Sequence, residues 1–174
     1  NTYLKRRKRA KGGSQYVDQA KKTPQRTYYS RKKGILLPEG SHLIDEGGLT
    51  FEVNFASRLD CGIFLDHRET RALLREMAKG TKGSRRFLNL FAYTGTATCY
   101  AADGGCRHTT TVDMSAPSLS WARRNMERNG FTGPEHEYVR TDVIRWIGEQ
   151  RHTKNRWDLI FCDVPTFSNS KRMG

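Results

Sequence analysis

The sequence predicts an α/β fold built on a parallel, doubly wound sheet, and three observations carry that prediction. From Arg86 onward, short apolar runs of strand length alternate with stretches whose apolar residues recur at helical spacing. Two of the helical stretches open on capping side chains, Ser115 and Asp142, and Asn129-Gly130 closes the first of them. Finally, Asp113, Asp142 and Asp163 stand at or just past the ends of successive strand runs, where ligands lie in such sheets. At 174 residues the chain suffices for one domain with a core and is too short for two full ones.

In chain order, residues 1–41 read as a basic lead-in. Residues 1–33 hold 12 Lys and Arg against Asp18 alone, so +11 of the formal net charge of +13 lies there, with Tyr3, Tyr16, Tyr28 and Tyr29 interleaved. Such a segment neutralises phosphates and makes RNA binding salt-dependent; Lys5, Arg6, Arg7, Lys8, Arg9 and Lys11 are the candidate contacts, and the aromatics suit stacking on unpaired bases. Residues 42–80 begin with a hairpin: HLIDEGGLTFEVNF, from His42, turns at Gly47-Gly48 into alternating Leu49, Phe51, Val53 and Phe55. Asp66 is then expected to N-cap a helix with Leu73, Leu74, Met77 and Ala78 on one face and Gly80 as its stop.

Residues 81–174 carry the main domain. Strands are expected over Arg86–Phe91, His108–Asp113, His136–Arg140 and Trp157–Cys162. Helices are expected over Thr96–Asp103, after Ser115 with Leu119, Ala122 and Met126 inward, and after Asp142 with Val143, Trp146 and Ile147 on one side.

Several function classes fall away. No run approaches the roughly 18 apolar residues that span a bilayer, and no apolar segment follows the N-terminal charges, which argues against membrane and secretory readings. Cys61, Cys99, Cys106 and Cys162 form no CxxC pair and have no His at ligand spacing, so neither a metal site nor a disulfide framework is expected. A reducing, cytoplasmic setting fits best.

The strand ends carry the chemistry. NLFAYTG, Asn89 to Gly95, is a strand-to-helix turn whose single glycine admits a ligand close to the backbone, yet it lacks the glycines of GxGxxG. Asp113 offers acceptors for both hydroxyls of a ribose, whereas Asp142 is placed to accept from an exocyclic adenine amine and is equally an ordinary N-cap. Acids after successive strands without a phosphate cradle describe a nucleoside-shaped site. That combination favours S-adenosylmethionine over NAD or ATP.

After the fourth strand stands DVPTFSNSKRMG, and here a resemblance becomes specific. NLFAYTGTAT, TTTVDMS with WARRN and NG after it, and PTFSNSKRM resemble the Rossmann-like class I S-adenosylmethionine-dependent methyltransferase domain of the K half of bifunctional K/L ribosomal RNA large-subunit guanine methyltransferases. CGIFLDHRETR, Cys61 to Arg71, is similar to that family's loop ahead of the domain, and YLKRRKRAKGGSQY to its basic lead-in. The resemblance implies that Asn89, Phe91, Ala92, Tyr93 and Gly95 line the methionine side of the cofactor, that Asp113 with Met114 holds the ribose, and that Asp142 and Val143 face the adenine. It further implies that Phe64, Asp66 and Arg68 cover the cofactor and that Asp163, Pro165 and Thr166, matching the family's DPPT motif, lie beside the target base. Val164 stands where the family has its first proline, which leaves that φ unfixed.

The family's product is 7-methylguanosine in large-subunit ribosomal RNA, its second half methylates guanine N2, and its domain has seven strands. Only the first four are recognisable before Gly174, so the chain is expected to be part of a longer protein, inactive alone, with an unpaired strand edge. Two rivals stand beside this reading. A 5-methylcytosine RNA methyltransferase needs a cysteine nucleophile, and Cys162, beside the motif on an apolar strand, reads rather as a buried structural thiol. A non-enzymatic RNA-binding module would leave the strand-end acids as caps alone.

Overall fold

The computed structural model describes residues 27–30, 35–56, 60–79 and 85–165. These fall into two compact units, one holding the described residues up to 44 and from 52 to 63, the other 45–51 and those from 64 on.

In the first unit, β1 (Thr27–Ser30) and β2 (Ile35–Pro38) pair antiparallel with Thr27 opposite Pro38. Both strands lie within the stretch that composition marks as a lead-in, because a count of charges carries no strand signal. Next, β3 (Ser41–Glu46) and β4 (Leu49–Asn54) form the expected hairpin around Gly47 and Gly48, whose φ of +57° and +82° suit glycine. Alternation along β4 is not clean: Glu52 and Asn54 are as buried as Val53. Each is paired, since Asn54 Nδ2 donates to the Glu39 carbonyl (2.8 Å) and Ser41 Oγ (3.0 Å), and Ser41 Oγ donates to Glu52 Oε1 (3.4 Å).

The second unit is the α/β domain. Its elements are α1 (Arg68–Lys79), β5 (Arg86–Leu90), α2 (Thr96–Asp103), β6 (His108–Asp113), α3 (Ala116–Arg128), β7 (His136–Arg140), α4 (Val143–Gln150) and β8 (Leu159–Cys162). The four strands form a parallel sheet in the order β7-β6-β5-β8. The chain thus steps outward from β5 through β6 to β7, then crosses back to β8 on the other side of β5. A crevice is therefore expected past the carboxyl ends of β5 and β8. On one face Phe87 and Leu159 pack with Leu74, Ala78, Ala97 and Ala101 of α1 and α2; on the other, Leu88, Leu90 and Val112 pack with Val143 of α4. Two of the three expected N-caps are made: Ser115 Oγ accepts from Ser118 N (3.2 Å) and Asp142 Oδ1 from Arg145 N (2.9 Å).

Four expectations need correcting. The first strand stops at Leu90, because Phe91 has φ +55° and leaves the β region. The fourth begins at Leu159; Trp157 instead turns its indole Nε1 to Thr110 Oγ1 (3.2 Å). On α4, Ile147 is partly exposed while Val143 is buried. Asp66 is no N-cap but stands in a 3-10 turn, Leu65–His67, that leads into α1, whose buried face is Arg71, Leu74 and Ala78 while Leu73 and Met77 are exposed. Gly80 lies outside the described residues.

A charge on the inward face of α1 explains that rotation. Arg71 is 2% exposed and meets Glu46, itself 5% exposed, with Nη2 2.7 Å from Oε1 and Nε 2.9 Å from the same oxygen. Tyr100 Oη donates to Glu46 Oε1 (3.0 Å), stacks on Phe51 at 6.0 Å, and carries Arg75 over its ring at 4.5 Å. Burial, then the Glu46 charge, push the Tyr100 phenol up. Among the described residues no helix is long and apolar enough to cross a membrane.

Truncating one partner of a buried ion pair strands the other charge. Arg71→Leu is therefore expected to cost about 3–5 kcal/mol of stability. Denaturant unfolding of the intact protein measures it, and Glu46→Leu in the same chain should recover most of the loss.

Candidate functional site

The carboxyl end of β5 turns sharply into α2. Phe91 and Tyr93 have φ of +55° and +50°, and Gly95, the residue that caps α2, has +68°. Left-handed backbone at Phe and Tyr costs on the order of 1–3 kcal/mol each and persists only where its surroundings over-determine it. Here Tyr93 N–H donates to Asp113 Oδ2 (2.8 Å), Ala92 N–H to the Val112 carbonyl (3.0 Å), and Asn125 Nδ2 to the Thr94 carbonyl (3.0 Å). The amides of 92, 93 and 95 are thus spent inside the protein, unlike those of a phosphate-binding loop.

Asp113, at the end of β6, is the other half of this clamp. Its Oδ1 accepts from Ser115 N (2.8 Å) while Oδ2 holds Tyr93. Burial raises its carboxyl above the ordinary value, against the pull of the Ser115, Tyr93 and Met114 amides.

Beside the turn lies a cleft lined by Phe64, His67, Arg71, Asn89, Phe91, Ala92, Tyr93, Thr96, Ala97, Phe161 and Asp163. It opens at the ends of β5 and β8, where the strand order places a crevice. Phe64 and Tyr93 meet at 5.3 Å, and His67 lies between Phe64 and Phe161. Arg71 Nη1 donates to the Phe64 carbonyl (2.8 Å), so the buried pair with Glu46 also fixes this wall. Asn89, 2% exposed, gives its Nδ2 to Thr98 Oγ1 (2.9 Å), and its Oδ1 has no hydrogen-bond partner among the described residues.

The structure thus brings together Phe64, Asn89, Phe91, Ala92, Tyr93 and Asp163, with Asp113 one hydrogen bond behind Tyr93. Other expected residues stand apart from that wall. Asp66 is exposed, and Arg68, largely exposed, reaches back to Glu46 Oε2 (3.2 Å). Met114 offers its carbonyl to Arg140 Nε (3.4 Å), Asp142 caps α4, and Val143 is buried among Leu88, Leu90 and Val112. Pro165 is exposed. Thr166 and Lys5, Arg6, Arg7, Lys8, Arg9 and Lys11 lie outside the described residues. Cys162 is exposed, contrary to the buried thiol expected, since β8 alternation puts Phe161 toward the cleft and Cys162 on the opposite face.

Sequence reasoning missed His67, Arg71, Thr96, Ala97 and Phe161. A signal for two of them was present: Phe64, His67 and Arg71 recur at helical three- and four-residue spacing, which puts them on one side.

The model of the S-adenosylmethionine-dependent methyltransferase family matches residues 12–173. The chain belongs to that family. Within it, the chain is 47% identical over 171 residues to ribosomal RNA large subunit methyltransferase K/L of Methylococcus capsulatus, covering 98% of this chain and 20% of that protein. It is 46% identical over 175 residues to the K/L methyltransferase of Vibrio cholerae serotype O1, covering 99% and 21%. The chain therefore spans about a fifth of the length of these curated relatives. Among solved structures, SMU.776 complexed with SAH superposes with a TM-score of 0.69 at 32% identity, over 77% of this chain and 34% of that one.

S-adenosylmethionine is the cofactor of this methyltransferase family, and the cleft fits it on a structural ground. Asn89 Oδ1 is a buried acceptor without a partner, of the kind that an ammonium donor satisfies. Among the described residues no group of three or more His, Cys, Asp or Glu is placed to hold a metal ion.

The turn allows little change at Gly95. A Cβ there would lie 2.6 Å from Ala122 Cβ at a φ of +68°. Gly95→Ala is expected to cost about 2–4 kcal/mol and to lower the thermal midpoint accordingly.

Proposed function

We propose that the intact protein transfers the methyl group of S-adenosylmethionine to guanine N7 in large-subunit ribosomal RNA. The observation that carries this reading is the K/L identity over nearly the whole chain. The choice of N7 rests on the resemblance of the NLFAYTG and DVPTFSNSKRM segments to the guanine-methylating half. On the same reading the chain is joined to a half that methylates guanine N2.

When bound, the cofactor supplies an electrophilic methyl group on a sulfonium. In this proposal Asn89 Oδ1 accepts from the ammonium of its methionine part, while Phe91, Ala92, Tyr93 and Gly95 wall that part in. Asp113, with Met114 beside it, accepts from the ribose hydroxyls with lone pairs that the two amides leave free. Asp142 and Val143 take the adenine, and Phe64, Asp66 and Arg68 cover the site.

Guanine N7 has an in-plane lone pair and no hydrogen to remove, so no general base is needed for attack. The task is alignment, and holding the reacting atoms in near-attack geometry supplies roughly 7–11 kcal/mol at best. Asp163 lines the cleft and, with Pro165 and Thr166, would orient the guanine edge. A base inside structured RNA must first be exposed, and Lys5, Arg6, Arg7, Lys8, Arg9 and Lys11 would hold the displaced strand through its phosphates.

The 5-methylcytosine alternative requires a thiolate at the target base, whereas Cys162 faces away from the cleft. Incubation of ribosomal RNA with the intact protein and methyl-labelled cofactor, followed by nucleoside mass spectrometry, should yield labelled 7-methylguanosine, and Cys162→Ala should leave that yield unchanged. Labelled 5-methylcytosine, lost in Cys162→Ala, would contradict the proposal, as would an absence of label in any nucleoside.

A further inference from the structure

His67 lies between the turn ahead of α1 and the end of β8, inside the CGIFLDHRETR segment, where the resemblance implies no role for it. Its backbone N–H donates to the Phe64 carbonyl (3.2 Å), the same oxygen that Arg71 Nη1 holds at 2.8 Å. Because Arg71 is itself fixed by Glu46, the position of the His67 backbone is set from the core. Its ring is bracketed by Phe64 at 5.7 Å and, edge-on, by Phe161 at 6.5 Å. Phe161 lies on β8, two residues before Asp163, which follows the end of the strand. That bracket leaves Nδ1 facing the Asp163 carboxylate, 3.6 Å from Oδ2.

We propose that His67 is a positioning residue for Asp163: its Nδ1 edge, held by Phe64, Arg71 and Phe161, fixes the carboxylate in the rotamer that meets the target base. This rests on the methyl-transfer reading given above. Among the described residues after β8, none does that work unaided. Asp163 is 44% exposed at its side chain, and Val164 is 61% exposed with a φ that no ring restrains. A carboxylate on such a segment samples several rotamers, and each productive encounter would carry the entropy of selecting one. A donor 3.6 Å away lowers that cost, as an ion pair when the imidazole is protonated and as a neutral hydrogen bond after a shift of about half an ångström.

The titratable groups around His67 are few. Asp66 and Arg68 flank it in the chain, Arg71 and Tyr93 line the same cleft, and Cys162 precedes Asp163; Arg68 and Arg71 are both engaged with Glu46. Asp163 is the carboxylate within ion-pair reach of the His67 ring.

The test uses the intact protein with two variants. His67→Leu removes the donor and keeps an apolar filler between the two rings; His67→Gln keeps a donor that does not titrate. His67→Leu should lower kcat for methyl transfer roughly 10- to 100-fold, the loss expected for a misplaced orienting group, and should lower kcat more than it weakens cofactor binding. His67→Gln should restore most of kcat, a rescue that a merely space-filling role would not give.

Histidine hydrogen–deuterium exchange at a single pH, read peptide by peptide, reports the pairing without reference to activity: the exchange rate at the His67 ring should change in Asp163→Asn, which removes the carboxylate 3.6 Å from its Nδ1. A His67→Leu protein with wild-type kcat, or a His67 ring exchange rate indifferent to Asp163→Asn, would overturn the proposal. Should the wild type methylate no ribosomal RNA, the functional reading fails while the exchange result still decides the pairing.

Discussion

Asp113 ties two strand ends together with one carboxylate, and the cleft depends on that tie. Tyr93 N–H on one oxygen and Ser115 N–H on the other join the turn after β5 to the start of α3. Without them, left-handed backbone at Phe91 and Tyr93 would have little to hold it. With them, the residue that organises the turn also presents spare lone pairs, which the proposed function assigns to the ribose. Burial raising this carboxyl is the electrostatic cost of using one group for both tasks.

Behind the opposite wall stands a second buried charge. The Glu46–Arg71 pair joins the hairpin tip to α1, and through the Phe64 carbonyl it sets the turn that carries Phe64 and His67. The cleft thus lies between a clamp of ordinary backbone amides and a wall positioned by a desolvated ion pair. Neither device is a phosphate cradle, which agrees with a cofactor whose charge sits on a sulfonium and an amino acid rather than on phosphates. The basic character of the chain is concentrated in residues 1–33, far in sequence from this chemistry.

Much of the α/β domain was legible from the sequence because its signals are local. Ser115 and Asp142 cap, Asn129-Gly130 stops α3, and the extents of α2, β6 and β7 follow from runs bounded by such residues. The misses have a different origin. Arg71 rotates the buried face of α1 away from Leu73 and Met77 while Leu74 and Ala78 stay buried, since a charge buried against a partner 25 residues away is invisible to periodicity. The end of β5 is set by left-handed backbone at Phe91, a residue type that rarely adopts it. Buried Glu52 and Asn54 blur the alternation of β4 because their partners lie on other segments. Within the site, motif matching found Asn89, Tyr93 and Asp163 but chose Asp66 and Arg68 over His67 and Arg71, which share a helical face with Phe64.

The central claim is that Asp113 both clamps the turn and receives the cofactor. Calorimetric titration of S-adenosylmethionine into the intact protein across pH tests it most directly. The ionised carboxylate is the stronger acceptor and protonation turns one of its oxygens into a donor, so, with burial raising its pKa, affinity should fall on acidification from a higher pH than an exposed aspartate would give. Asp113→Asn should bind about 10- to 100-fold more weakly and lose that dependence. Wild-type affinity in Asp113→Asn, with the same pH dependence, would contradict the account.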